Sequence, residues 1–142
     1  MTQEDKELLL KDLCARLPYG VKVRRIVHTT PTNTVESVEL FNPYWLGEFY
    51  SKKAEFKPYL RPISSMTEEE MDKLFDILHI NKEGKDEDWI KINDDLGIKF
   101  FLPTGKWVEN VAEAYDFLYS IYIDFRGLIH EDLAIEAPEN MY

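Results

Sequence analysis

One cysteine, six glycines and no long apolar run characterise this chain of 142 residues. A single cysteine excludes an intramolecular disulfide framework and any all-cysteine metal site. No stretch approaches the ~18 consecutive apolar residues of a membrane-spanning helix. The opening MTQEDKE is acidic where a secretory leader is basic. Both features point to a soluble, cytoplasmic protein. No G-x-x-x-x-G-K-[ST] or G-x-G-x-x-G occurs, so nucleotide phosphates have no recognisable cradle, and no G-x-S-x-G marks a serine nucleophile.

Positive charge is also scarce, with 17 Lys and Arg against 27 Asp and Glu, for a net charge of −10. The imbalance is local. Residues 1–20 carry three basic and four acidic side chains, residues 21–65 seven and four, and residues 66–142 seven and nineteen. Duplex-DNA affinity comes largely from phosphate neutralisation, so this balance argues against a duplex-DNA binder. An acidic last half suits either solubility or a basic protein partner, whose steering weakens as salt rises.

Hydrophobic residues make up 44% of the chain and aromatics 13%. That composition supports one domain with a real core rather than global disorder. Thr2, with Asp5 three residues on, opens a helix over about 3–17 whose apolar stripe is Leu10, Leu13, Cys14 and Leu17. Pro18-Tyr19-Gly20 stops it. Val21, Val23 and Val27 then share one strand face, opposite Lys22, Arg24 and His28. The polar run 29–34 reads as a turn and Val35 to Phe41 as the returning strand. Pro43, Pro58 and Pro62 punctuate residues 42–65, which read as extended segments with bends.

The clearest local signal is Ser65-Met66-Thr67-Glu68-Glu69-Glu70-Met71. Thr67 and Glu70 form a capping box, Met66 and Met71 a hydrophobic staple, and Met71, Leu74, Phe75 and Leu78 the buried stripe of a helix to about His79. A charged loop over 81–87, a strand near 88–93, a turn at 94–97 and a strand from Ile98 to Leu102 make a hairpin. Ile98, Phe100 and Leu102 share one face, with Phe101 on the other. A long helix from about Val108 or Asn110 to Phe125 follows, with Val111, Tyr115, Leu118, Tyr122 and Phe125 at helical spacing, ended by Gly127. Leu128 to Tyr142 is an extended or turn-like tail. The resulting fold is α+β: a single domain of residues 1–142 with about three helices packed on an antiparallel sheet of short strands.

Lys57-Pro58-Tyr59-Leu60-Arg61-Pro62-Ile63-Ser64-Ser65-Met66-Thr67, Ala112 to Leu118, Asp124 to Ile129 and Leu133 to Tyr142 together resemble a group of short, uncharacterised proteins of gut anaerobic bacteria, often encoded near prophage or mobile-element genes. The resemblance implies a bacterial or phage cytoplasmic protein. It brings no activity, cofactor or catalytic residue with it.

Candidate chemistry is thin. His28, His79 and His130 sit in three separate segments without the close spacing usual for metal ligands, so no metal or other cofactor is expected. Cys14 lies in the predicted apolar stripe, where a free cysteine acts as a small hydrophobe. Ser64-Ser65 is explained by the helix start that follows it. The carboxylate runs Asp86-Glu87-Asp88, Asp94-Asp95 and Glu131-Asp132 fall in predicted loops. No catalytic residue is assigned. Residues 41–61 stand out because Phe41, Tyr44, Trp45, Phe49, Tyr50, Phe56 and Tyr59 interleave with Lys52, Lys53, Lys57 and Arg61. Single-strand binders combine stacking rings with basic grooves in this way, and a sheet packed by its aromatics produces the same pattern. Arg126 suits either a structural anchor or an anionic ligand.

Three functions follow as expectations. The first is a non-enzymatic protein-interaction module of mobile-element origin whose acidic face (66–142) meets a basic partner. The second is single-stranded nucleic-acid binding through 41–61, using Tyr44, Trp45, Tyr50, Lys52, Lys53, Lys57, Tyr59 and Arg61. The third is a small hydrolase or metal enzyme, which requires two histidines and a carboxylate to converge.

Overall fold

The computed structural model describes residues 1–78, 90–93, 97–100 and 111–142. Helix α1 spans Gln3–Ala15 and opens on the expected cap: Asp5 donates its backbone N–H to the Thr2 hydroxyl, and the Asp5 carboxylate accepts from the Thr2 N–H. Its buried face is Leu9, Asp12, Leu13 and Arg16, one residue round from the predicted stripe. Cys14 is therefore exposed. The face is rotated because Asp12 and Arg16, four apart, neutralise one another and enter the interior as a pair. A 3-10 turn at Leu17–Tyr19 and Gly20, at φ 75°, end the segment.

Strands β1 (Lys22–Thr30) and β2 (Asn33–Leu40) form a hairpin, tighter than the predicted turn. Residues 42–65, expected to be extended segments with bends, hold a 3-10 turn at Pro43–Trp45, helix α2 (Leu46–Tyr50), strand β3 (Ala54–Leu60) and a second 3-10 turn at Ile63–Ser65. Proline restrains only the residue before it and is well placed in a first turn. Asn42 satisfies that rule in extended backbone while its side chain caps the Tyr44 N–H at 3.0 Å. Helix α3 (Glu68–Ile77) carries the predicted capping box of Thr67 and Glu70. Strands β4 (Ile90–Asn93) and β5 (Gly97–Phe100) make the expected hairpin, with Ile98 buried. His79, the 81–87 loop, the turn at 94–96, Phe101, Leu102 and the helix start near Val108 lie outside the described residues.

Helix α4 covers Val111–Ser120, five residues short of the predicted end at Phe125. Ile123 donates to the Leu118 carbonyl and Tyr122 to the Tyr119 carbonyl, both at 3.1 Å, with Tyr122 left-handed at φ 63°. These bonds form a Schellman closure with tyrosine where glycine is usual. The conformation costs about 1–2 kcal/mol. Offsetting contacts come from the ring, which stacks on Tyr142 at 3.6 Å, and from the hydroxyl, which donates to the Tyr19 carbonyl at 2.5 Å. Apolar spacing alone did not register this stop, because Tyr122 and Phe125 continue the helical period after the backbone has turned.

The α+β class read from the sequence is the class observed, with four α-helices among the described residues. The main sheet has the order β2-β1-β3-β6, where β6 is Ile135–Glu136. It is mixed: β1 is antiparallel to β2 and β3, but β6 lies parallel to β3. The α3–α4 segment supplies the crossover that parallel neighbours require.

The tail also repairs the sheet. Pro58 sits opposite Val23, and the β1–β3 ladder stops there. Beyond it, the Tyr142 hydroxyl accepts the Lys22 N–H at 3.0 Å and donates to the Tyr59 carbonyl at 2.8 Å. Tyr142→Phe removes both bonds and is expected to cost about 1–3 kcal/mol in urea unfolding. Burial pushes this phenol from 10.0 up to about 12. A raised folded-state value means that the contribution is complete below pH 10.0 and is lost as pH climbs towards about 12. The alkaline limb of the stability profile is therefore expected to be shallower in Tyr142→Phe than in the native chain.

The described residues form two apolar clusters. Leu9, Leu13, Val23, Phe41, Phe49 and Phe56 join α1 to the sheet. Ile63, Leu74, Leu118, Tyr119, Ile123 and Phe125 join α3 to α4.

Candidate functional site

A buried ionic cluster links the two cores. Arg16, fully buried, donates to both Asp12 carboxylate oxygens at 2.7 and 3.1 Å and to the Ile123 carbonyl at 2.9 Å. Its guanidinium lies 5.1 Å from the Tyr119 ring centroid. Arg126 donates to the Tyr119 hydroxyl, places its guanidinium 5.0 Å from the Phe125 centroid and brings Nε to 3.5 Å from Asp12. Asp124 accepts the Leu128 and Ile129 N–H groups at 2.8 Å, and burial raises its pKa despite those bonds. The signal for this cluster was in the sequence: Asp12 and Arg16 share the period of Leu9 and Leu13.

The aromatic and basic stretch separates into an interior and a rim. Phe41, Phe49 and Phe56 are buried, and Phe56 meets Phe41, Trp45 and Phe49 with centroids 6.3, 5.9 and 6.1 Å away. Trp45 is half-buried, stacked on Phe56, with the Arg25 guanidinium 4.3 Å from its centroid. Tyr59 is half-buried. Lys57 is bound by Asp132 at 2.7 Å. Arg61 grips the Glu70 carboxylate with two nitrogens at 2.8 and 2.9 Å and also bonds Ser65 and the Ile121 carbonyl. It holds Glu70 below the usual carboxylate range. Tyr44 (91% exposed), Tyr50, Lys52 and Lys53 remain at the surface.

Among the other sequence candidates, His28 lies exposed on β1, His130 is exposed in the tail, and no group of three or more His, Cys, Asp or Glu side chains is placed to hold a metal ion among the described residues. A groove of about 500 Å³ runs beside the tail, lined by Arg61, Ser64, Glu136, Glu139, Asn140 and Tyr142 among others. Its one arginine is committed to Glu70, Ser65 and Ile121, and its other charges are carboxylates.

Among the described residues of the acidic half, exposed carboxylates lie on two helices and in the tail, where Glu131, Asp132, Glu136 and Glu139 are exposed. Glu68, Glu69, Asp72 and Asp76 are exposed on α3, and Glu113 and Asp116 on α4, which packs against it. Lys73 sits among them with its ammonium 5.0 Å from the Phe117 centroid. Among the described residues, no helix is long and apolar enough to cross a membrane. No family model, no curated protein and no solved structure matches the chain.

Proposed function

We propose that the protein is a non-enzymatic interaction module that engages a basic protein through its acidic helical surface. One observation carries this reading: all five arginines are held by carboxylates of the same chain. Arg16 and Arg126 lie against Asp12, Arg24 against Glu36, Arg25 against Glu48 and Glu39, and Arg61 against Glu70. The guanidinium groups best suited to phosphate are thus already engaged, while α3 and α4 present exposed carboxylates. A resemblance to short proteins often encoded near prophage or mobile-element genes would fit a role in contacting host proteins.

Capture of partners from host lysate by the tagged protein, read by mass spectrometry at low and high salt, tests the reading. A stoichiometric basic protein held at low salt and released at high salt is the expected result. Recovery of nucleic acid instead, or of nothing at either salt, overturns it.

A further inference from the structure

We infer that β2 is a self-association edge, pairing antiparallel with β2 of a second copy. It is the outer strand of the main sheet, and Val35, Val38 and Leu40 are each more than half exposed. Hydrogen-bond alternation fixes which backbone groups face outward. Phe41 N–H points inward to the Val21 carbonyl, so Glu39, Ser37 and Val35 also face β1. Thr34, Glu36, Val38 and Leu40 therefore direct their N–H and C=O groups away from it.

Edge strands are normally blunted by lysine, proline, bulges or short length. Residues 33–40 contain no lysine or proline, run for eight residues, and keep regular register with β1 from Val35 to Leu40. Electrostatics favours a second copy as occupant. The charges of β2 are Glu36 and Glu39, each paired with an arginine of β1: Arg24 at 2.6 Å and Arg25 at 3.6 Å. The edge brings little net charge to the seam, so two copies meet with little repulsion. Pairing outward groups with outward groups over the full strand sets Thr34 opposite Leu40, Glu36 opposite Val38, and Ser37 opposite its own copy on the two-fold axis. Neither glutamate then faces a glutamate directly. This surface is separate from the acidic helices and independent of what they bind.

Light scattering on the full chain over a concentration series is expected to show the mass rising from 16.8 kDa to twice that value. Val38→Pro removes an outward N–H from each copy without touching the β1 ladder, and is expected to weaken association roughly thirtyfold. In a Cys14→Ser background, Ser37→Cys is expected to cross-link into a covalent dimer under mild oxidation, whereas Val35→Cys is not. The cross-linking pair gives the answer even if Val38→Pro does not fold. A monomer at every concentration, unchanged association of folded Val38→Pro, or cross-linking at 35 in preference to 37 overturns the inference.

Discussion

Asp12→Ala is expected to destabilise the protein by about 3–5 kcal/mol, because it leaves the fully buried Arg16 guanidinium without its counter-charge. The loss is a large fraction of the roughly 5–15 kcal/mol that holds a domain together. Asp12 touches two cations, Arg16 through a two-point contact and Arg126 at 3.5 Å, so its removal loosens both. The Arg16 Nη1, already buried without a hydrogen-bond partner, has nothing to offset the additional cost. Replacing both members of the pair, as Asp12→Leu with Arg16→Met, is expected to cost far less than the single change, because the desolvation penalty leaves with the charges. Urea unfolding of the native chain, the single variant and the double variant measures this directly. Equal losses in the two variants would show that the pair acts through packing rather than charge.

Phe56→Ala is expected to cost about 3–5 kcal/mol, since it opens a cavity where four rings meet. Phe56 is 1% exposed and touches Phe41, Trp45 and Phe49. Tyr44→Ala, in the same aromatic stretch but on the surface, is expected to change stability by less than about 0.5 kcal/mol. The same denaturation experiment on both variants separates core aromatics from rim aromatics. If Tyr44→Ala destabilised as much as Phe56→Ala, the division of this stretch into interior and rim would be wrong.

The contrast between these residues shows how far the sequence could be read. Local chemistry was legible where a motif is complete within a few residues. Both capping boxes, at Thr2 and Thr67, stand where their hydroxyl and carboxylate spacing puts them. The hairpin of β1 and β2 was equally plain from its valine alternation. Features that depend on distant partners were not. Cys14 looked like core because polar residues are assumed to face out, yet Asp12 and Arg16 go inside together with help from Ile123 and Tyr119. Helix α4 stops at Ser120 because Tyr122 is held left-handed by Tyr142 and Tyr19, contacts that no local period encodes. The parallel β6 and the Tyr142 splice likewise need residues about eighty positions apart to meet. For the candidate site, the interleaving of rings and cations at 41–61 was visible, but the partners that absorb Lys57 and Arg61, namely Asp132 and Glu70, were not.

Charge reversal separates the acidic surface from the remaining basic rim most directly. Glu69→Lys with Asp76→Lys inverts two exposed positions on α3, and Lys52→Glu with Lys53→Glu inverts the exposed lysines beside Tyr50. Each double variant, checked for native circular dichroism, is compared with the native chain in partner capture at low salt. Loss of the basic partner by the α3 variant and its retention by the lysine variant is the predicted result. Retention by the α3 variant, with loss of the bound species on reversing Lys52 and Lys53, would contradict an acidic interaction surface.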